Sequence, residues 1–130
     1  MSEIITDKLT GRATAGDVTI TDGSATMKLQ DGVSKSYIWY DQSVPETDVS
    51  FNMSSVTDHS VGQFTLNYTN NFDTATYVWL VGGQDSRVTA VNPTSGYVTS
   101  STTRFATRIA NTAALSDLNN NTVAVQGDLA

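Results

Sequence analysis

Two short runs, Tyr37-Ile38-Trp39-Tyr40 and Tyr77-Val78-Trp79-Leu80-Val81, are apolar at every position. Both are too short for a buried helix and rich in the aromatic and β-branched residues that strands favour. Successive side chains of a strand point to opposite faces, so a strand that is apolar throughout needs cover on both. Each run therefore belongs in the middle of a packed structure or at a contact with another chain.

The stretch around the second run, Ser50 to Gly83, predicts three consecutive strands and two turns. Phe51, Met53 and Ser55 share one face of the first strand. Phe64, Leu66 and Tyr68 alternate with Thr65 and Asn67 in the second, a period of two. Thr57 to Gly62 and Thr69 to Thr76 read as the turns, because their short polar side chains bond the local backbone. Tyr77 to Val81 is the third strand.

The rest of the chain follows the same grammar. Val18 and Ile20 face Ala25, Met27 and Leu29 across Asp22-Gly23, a hairpin signal since both turn residues tolerate positive φ. A second Asp-Gly, Asp31-Gly32, leads into the strand Ser36 to Tyr40, and Asp41 to Val49 reads as a loop around Pro45. Arg87 to Val91 is a strand, Asn92 to Gly96 a turn, and Tyr97 to Thr99 a further strand. Thr103 to Ala110 sets Phe105, Thr107 and Ile109 against Arg104, Ala106 and Arg108. Asn111 to Asn121 holds at most one helical turn, and Thr122 to Gln126 closes the chain with Val123 and Val125 inward. Eight or nine short strands at this spacing predict an all-β fold, an antiparallel β-sandwich of jelly-roll-like or Ig-like form. Residues 17–130 make one such domain, and residues 1–16, apolar only at Ile4, Ile5, Leu9 and a few alanines, form an extended arm or a loose tail.

Composition narrows the function classes. Glu occurs only at Glu3 and Glu46, and charged residues are 15% of the chain, which suits strands and turns better than helix surfaces. A net charge of −6 with dispersed Lys and Arg repels nucleic-acid phosphates. There is no cysteine, hence no disulfide framework and no thiolate chemistry. No apolar run approaches the length of a membrane-spanning helix, and residues 1–12 lack a signal peptide's apolar centre. The expectation is a protein made in a cytoplasm that stays there unless something larger carries it out.

His59, the single imidazole, sits in Asp58-His59-Ser60, but side chains adjacent in sequence do not converge as a catalytic triad requires. Asp41, Glu46 and Asp48 lack calcium-loop spacing and read as a solvated acidic loop. No catalytic set, metal or cofactor is expected. Asn52-Met53-Ser54 and Asn67-Tyr68-Thr69 match the glycosylation pattern by chance in an Asn- and Ser-rich chain. Trp39, Tyr40, Tyr77, Trp79 and Tyr97 form core or subunit contacts, or stack on sugar rings if they line an exposed ridge. Arg104 and Arg108, on one face of a strand, suit a carboxylate ladder on a neighbouring strand or subunit.

Leu29, Gln30, Gly32 and Trp39, then Ser50 to Asp58, Gly62, Phe64, Thr65, Asn67, Thr69 and Asn70, compose a run with a short closing strand, Thr122 to Gly127. This text resembles virion structural and fibre-like proteins of marine cyanobacterial and related podoviruses, a tail-fibre or capsid-appendage family. It departs from their pattern at His59 and at the strand Tyr77 to Val81. The resemblance implies a non-enzymatic bacteriophage structural protein, found in the virion after synthesis in the host cytoplasm. It implies a fibre or tail-appendage component assembling as a symmetric oligomer, commonly a homotrimer, and bound to other virion proteins. Docking on the particle would fall to the N-terminal arm, through Ile4, Ile5, Leu9 and Arg12. Ile38, Trp39, Tyr77, Trp79, Arg104 and Arg108 are the expected subunit interface. Two rival expectations are a capsid-surface decoration protein and a carbohydrate-binding receptor-recognition module. In the second, loops carrying Asp58, His59, Asn92 and Ser95 would touch a host surface glycan.

Overall fold

The computed structural model describes residues 18–22, 24–29, 33–83, 87–92 and 96–130. Ten strands lie among them. The predicted first hairpin is present: β1 (Thr19–Asp22) pairs antiparallel with β2 (Ala25–Lys28), Thr21 opposite Thr26. It falls in a first compact unit, Met1–Val33, and the other eight strands build a second, Ser34–Ala130. The arm residues Ile4, Ile5, Leu9 and Arg12 lie outside the described residues.

The second unit is the expected β-sandwich. Its strands are β3 (Ser36–Asp41), β4 (Glu46–Phe51), β5 (Met53–Ser60), β6 (Gln63–Tyr68), β7 (Val78–Gly82), β8 (Arg87–Val91), β9 (Thr102–Ile109) and β10 (Asn121–Gln126). They form two four-stranded antiparallel sheets, ordered β4-β3-β10-β7 and β5-β6-β9-β8. Alternation decides what lies between them. Ile38 and Tyr40 of β3 and Val123 and Val125 of β10 face Phe64, Leu66 and Tyr68 of β6 and Phe105 of β9, all buried. Full burial of each such side chain is worth roughly 1.5–3 kcal/mol. Aromatic rings carry much of the contact: Phe64 stacks on Phe105 with centroids 5.5 Å apart, and Tyr40 leans on Phe64 at 5.1 Å.

Several expected elements are placed differently. Ser50 to Val56 is not one strand. The chain leaves the first sheet after Phe51 and enters the second at Met53, turning at Asn52, whose φ of 57° breaks any strand. Asp41 to Val49 is not one loop either. The Asp41 carboxylate accepts from the Ser43 N–H (2.8 Å) and hydroxyl (2.7 Å), closing a tight turn that frees Glu46–Phe51 to pair with β3. That strand lacked a hydrophobic signature because all six of its residues are exposed. β5 runs on through Asp58 and His59, leaving only Val61-Gly62 as the turn. Val98 makes a single bridge to Thr103 in place of the strand expected at Tyr97 to Thr99. The link before β10 makes one turn, with the Ala113 N–H donating to Ile109 O at 2.8 Å. It then unwinds at Ala113, φ 56°.

Two apolar residues from irregular segments complete the core. Phe72 stacks on Tyr77 at 4.3 Å and meets Tyr68 edge-on at 4.9 Å, while Leu118 of the β9–β10 link is fully buried. A polar cross-tie also joins the sheets. Asn121 of β10 accepts at Oδ1 from the hydroxyls of Thr89 (2.7 Å) and Thr107 (2.9 Å), and its Nδ2 donates to Tyr40 O and Leu118 O.

Candidate functional site

The two outer faces of the sandwich differ in chemistry. On the β5-β6-β9-β8 sheet the outward residues of β5 and β6 are polar and bond one another, while Arg104 and Arg108 of β9 and Val88 and Ala90 of β8 complete the face. Asn67 Nδ2 donates to Ser55 Oγ and Thr57 Oγ1, both at 3.1 Å, and His59 and Thr65 share a hydrogen bond of 2.8 Å. Arg104 stacks over the Tyr97 ring at 4.4 Å and donates to Gln63 Oε1 at 2.8 Å.

The outer face of β4-β3-β10-β7 is apolar. Register fixes its membership: Ile38, Tyr40, Val123 and Val125 point inward, so their neighbours Tyr37, Trp39, Thr122 and Ala124 must point out. Phe51 and Val49 lie opposite Tyr37 and Trp39, and Leu80 and Gly82 lie opposite Ala124 and Thr122. Tyr37, Val49, Phe51, Val78 and Leu80 are 43%, 56%, 50%, 58% and 54% exposed, and Tyr37 stacks on Phe51 at 5.7 Å.

This face carries a shallow, open groove. Small residues in the middle, Ala124, Thr122 and Gly82, make the floor of a groove of about 730 Å³, walled by Tyr37, Trp39 and Val49 on one side and Leu80 on the other. A Cβ at Gly82 would run into Thr122 Oγ1, so a larger residue there requires that hydroxyl to turn aside. Thr122 carries the one side-chain hydroxyl on the floor and the wall adds the Tyr37 phenol and the Trp39 indole N–H, so the groove offers mainly apolar surface to cover.

The expected interface set divides between this face and other parts of the fold. Trp39 is on the exposed face, half-buried. Ile38 (3% exposed) and Tyr77 (6%) belong to the core, where their side chains cannot meet a neighbour while the fold stands. Trp79 also turns inward against the core, meeting the Tyr77 ring at 5.1 Å, and its buried indole N–H has no hydrogen-bond partner. Within the chain, Arg104 and Arg108 are engaged by groups other than the carboxylates expected on a neighbouring strand. Gln63 and Tyr97 occupy Arg104, and Arg108 Nη1 donates to Ala113 O at 2.8 Å. The face residues that sequence reasoning missed are Tyr37, Phe51, Val78 and Leu80. Their parity was recoverable from β10, where Val123 and Val125 were already assigned inward.

The expected receptor loops do not meet. Asp58 lies on edge strand β5 and Asn92 just after edge strand β8, three strand spacings or roughly 14 Å apart. The β5–β6 turn and the β8–β9 link leave the sheet at opposite ends. Ser95 lies outside the described residues. Asp58 and His59 point to different sides: Asp58 Oδ1 accepts from the buried Gln42 Nε2 at 3.2 Å, while His59 bonds Thr65 on the outer face. The described residues hold no group of three or more His, Asp or Glu able to bind a metal ion.

Burial of the Tyr40 phenol, with the carboxylates of Asp58, Asp117 and Asp41 around it, pushes its pKa up to about 12. Burial likewise raises Tyr68 and Tyr77, both of which hydrogen-bond the Thr103 hydroxyl. These phenols stay neutral and structural at physiological pH.

No family model, curated protein or solved structure matches this chain.

Proposed function

We propose that this chain is a non-enzymatic structural protein that assembles with copies of itself through the outer face of the β4-β3-β10-β7 sheet. The observation that carries the reading is the contrast between the two outer faces. One is mostly polar and internally bonded, with Val88 its one large exposed apolar residue among the described residues; the other leaves Tyr37, Val49, Phe51, Val78 and Leu80 in water around an apolar groove. A contiguous apolar face of this kind is a contact surface, and symmetric assembly covers it. The sequence resemblance extends the proposal to a bacteriophage virion, as a fibre or tail-appendage component docked by residues 1–16.

The test has two parts. Antibody labelling of intact particles should decorate a fixed position, and deletion of residues 1–16 should leave a folded domain that no longer incorporates. Unlabelled particles reject the virion role, and normal incorporation without residues 1–16 rejects docking by the arm. For the assembly role, sedimentation should give an oligomer at micromolar concentration, and a 13.9 kDa monomer rejects it.

A carbohydrate-binding module is the second reading, favoured by the neighbouring rings of Tyr37, Trp39 and Phe51 along an open groove. Against it, a sugar needs several hydrogen-bonding partners, and the side chains lining the groove offer few: the Thr122 hydroxyl, the Tyr37 phenol and the Trp39 indole N–H. Signal on a glycan array that is lost in Trp39→Ala would favour the sugar; a blank array favours assembly.

A further inference from the structure

We propose that the free edge of β7 pairs with β7 of a second copy, antiparallel about a twofold axis, so that the β4-β3-β10-β7 sheet continues into its twin. The inference rests on the assembly reading above and names its contact. A sandwich of two four-stranded sheets has four edge strands, and an unblocked edge is a template for another strand. Three of the four carry blocking features. β4 holds Glu46 and Asp48, with a register shift opposite Trp39 and Tyr40. β5 holds Asp58 and His59 and is irregular near both ends. β8 begins with Arg87. β7 has no charge, no proline and no register shift against β10, which is its one strand partner among the described residues.

Charge selects a second copy as the occupant. Each chain carries −6, so two copies approach most easily where neither brings an acid. Antiparallel self-pairing of β4 would set the central Asp48 beside its own image and carry two copies of Glu46 into the contact, and self-pairing of β8 would carry in two copies of Arg87. β7 against β7 sets no charge against another. Antiparallel pairing centred on Leu80 places Leu80 beside its twin and Val78 across from Gly82, large against small. The same operation joins the two exposed apolar faces side by side. Because such a contact uses the same residues on both partners, it closes at two copies, a dimer in place of the trimer implied by the sequence resemblance.

Sedimentation velocity and amide hydrogen exchange on the full chain test this, with Leu80→Lys and, on the far edge strand of the same face, Val49→Lys. Both sites are exposed, so neither change disturbs the core. The full chain should sediment at twice 13.9 kDa, with amides across Val78–Gly82 protected in the dimer. L80K should sediment as a monomer with an unchanged circular dichroism spectrum and lose that protection, while V49K stays dimeric. A dimer that survives L80K, freely exchanging outward β7 amides in an intact oligomer, or a trimer overturns the edge pairing. If V49K dissociates the oligomer and L80K does not, the contact is elsewhere on the face: this inference fails and the assembly reading stands. A chain that is monomeric throughout removes both.

Discussion

Asn52 and Asn70 hold each other through two hydrogen bonds: Asn52 Nδ2 donates to Asn70 O at 3.1 Å, and the Asn70 N–H donates to Asn52 Oδ1 at 2.7 Å. The pair sits where the chain crosses from β4 in one sheet to β5 in the other, and Asn52 takes the left-handed conformation that the crossing needs. Asn52→Gly keeps the conformation and loses the clasp, so it should cost about 1 kcal/mol. Asn52→Ala loses both and should cost about 2–3 kcal/mol. Urea unfolding midpoints of the two variants against the parent measure the difference.

Asn121 should be the most sensitive polar position. All four of its hydrogen bonds are buried, and they tie β10 to Thr89 and Thr107 of the opposite sheet. Asn121→Ala strands two hydroxyls and leaves two carbonyls without this donor, a loss of about 3 kcal/mol or more. Thr89→Val removes a single donor and should cost about 1 kcal/mol. Denaturant titration of both variants checks the ratio.

Gly62 forms the β5–β6 turn with φ 67°, and a Cβ there would meet Thr107 O at 2.6 Å and Ser116 N at 2.7 Å. Both obstacles are backbone and neither can rotate aside. Gly62→Ala therefore combines about 1 kcal/mol of left-handed strain with displacement of β9 and the β9–β10 link, about 3 kcal/mol together. Thermal unfolding should shift down by about 10 °C.

Alkaline pH should unfold the protein through its buried tyrosines. Tyr40, Tyr68 and Tyr77 all hold their protons more tightly folded than unfolded, chiefly because burial disfavours the phenolate. Their contribution to stability is complete below pH 10, the unfolded value. It falls as the pH rises from 10, through about 12 for Tyr40. Stability measured against urea at stepwise pH should decline over that window, with phenolate absorbance rising together with the loss of structure. Asp58→Asn, which removes a nearby negative charge, should lower the Tyr40 transition.

Much of the sandwich was legible from period-two patterning. β6 and β10 declare their inner faces because polar residues separate the apolar ones, as in Phe64, Leu66, Tyr68 and in Val123, Val125. β7 does not, since an apolar residue at every position leaves its parity undecided. That is why Tyr77 and Trp79 are expected on the outward side that Val78 and Leu80 in fact occupy. Both runs were read as needing cover on two faces; in the single chain the inner faces are covered and the outer face is bare. β4 was missed because an exposed edge strand has no inward residues to mark it. The break at Asn52 was missed because apolar spacing continues through it. Phe72, alone among Asn, Thr and Asp, gave no periodic signal; what fixes it is the Tyr68–Tyr77 ring contact, formed only once the sheets meet.

The Ser, Thr and Asn lattice on the β5-β6-β9-β8 sheet has a consequence for the molecule's exterior. Its polarity comes mainly from neutral amides and hydroxyls already satisfied by their neighbours, as in Asn67 with Ser55 and Thr57. Along Ser55, Thr57, Thr65 and Asn67 dissolved ions have little to screen, the cations of this face, Arg104 and Arg108, lying on β9. In any assembly that hides the aromatic side and shows this one to the medium, the outward skin should keep its hydration from fresh water to brine.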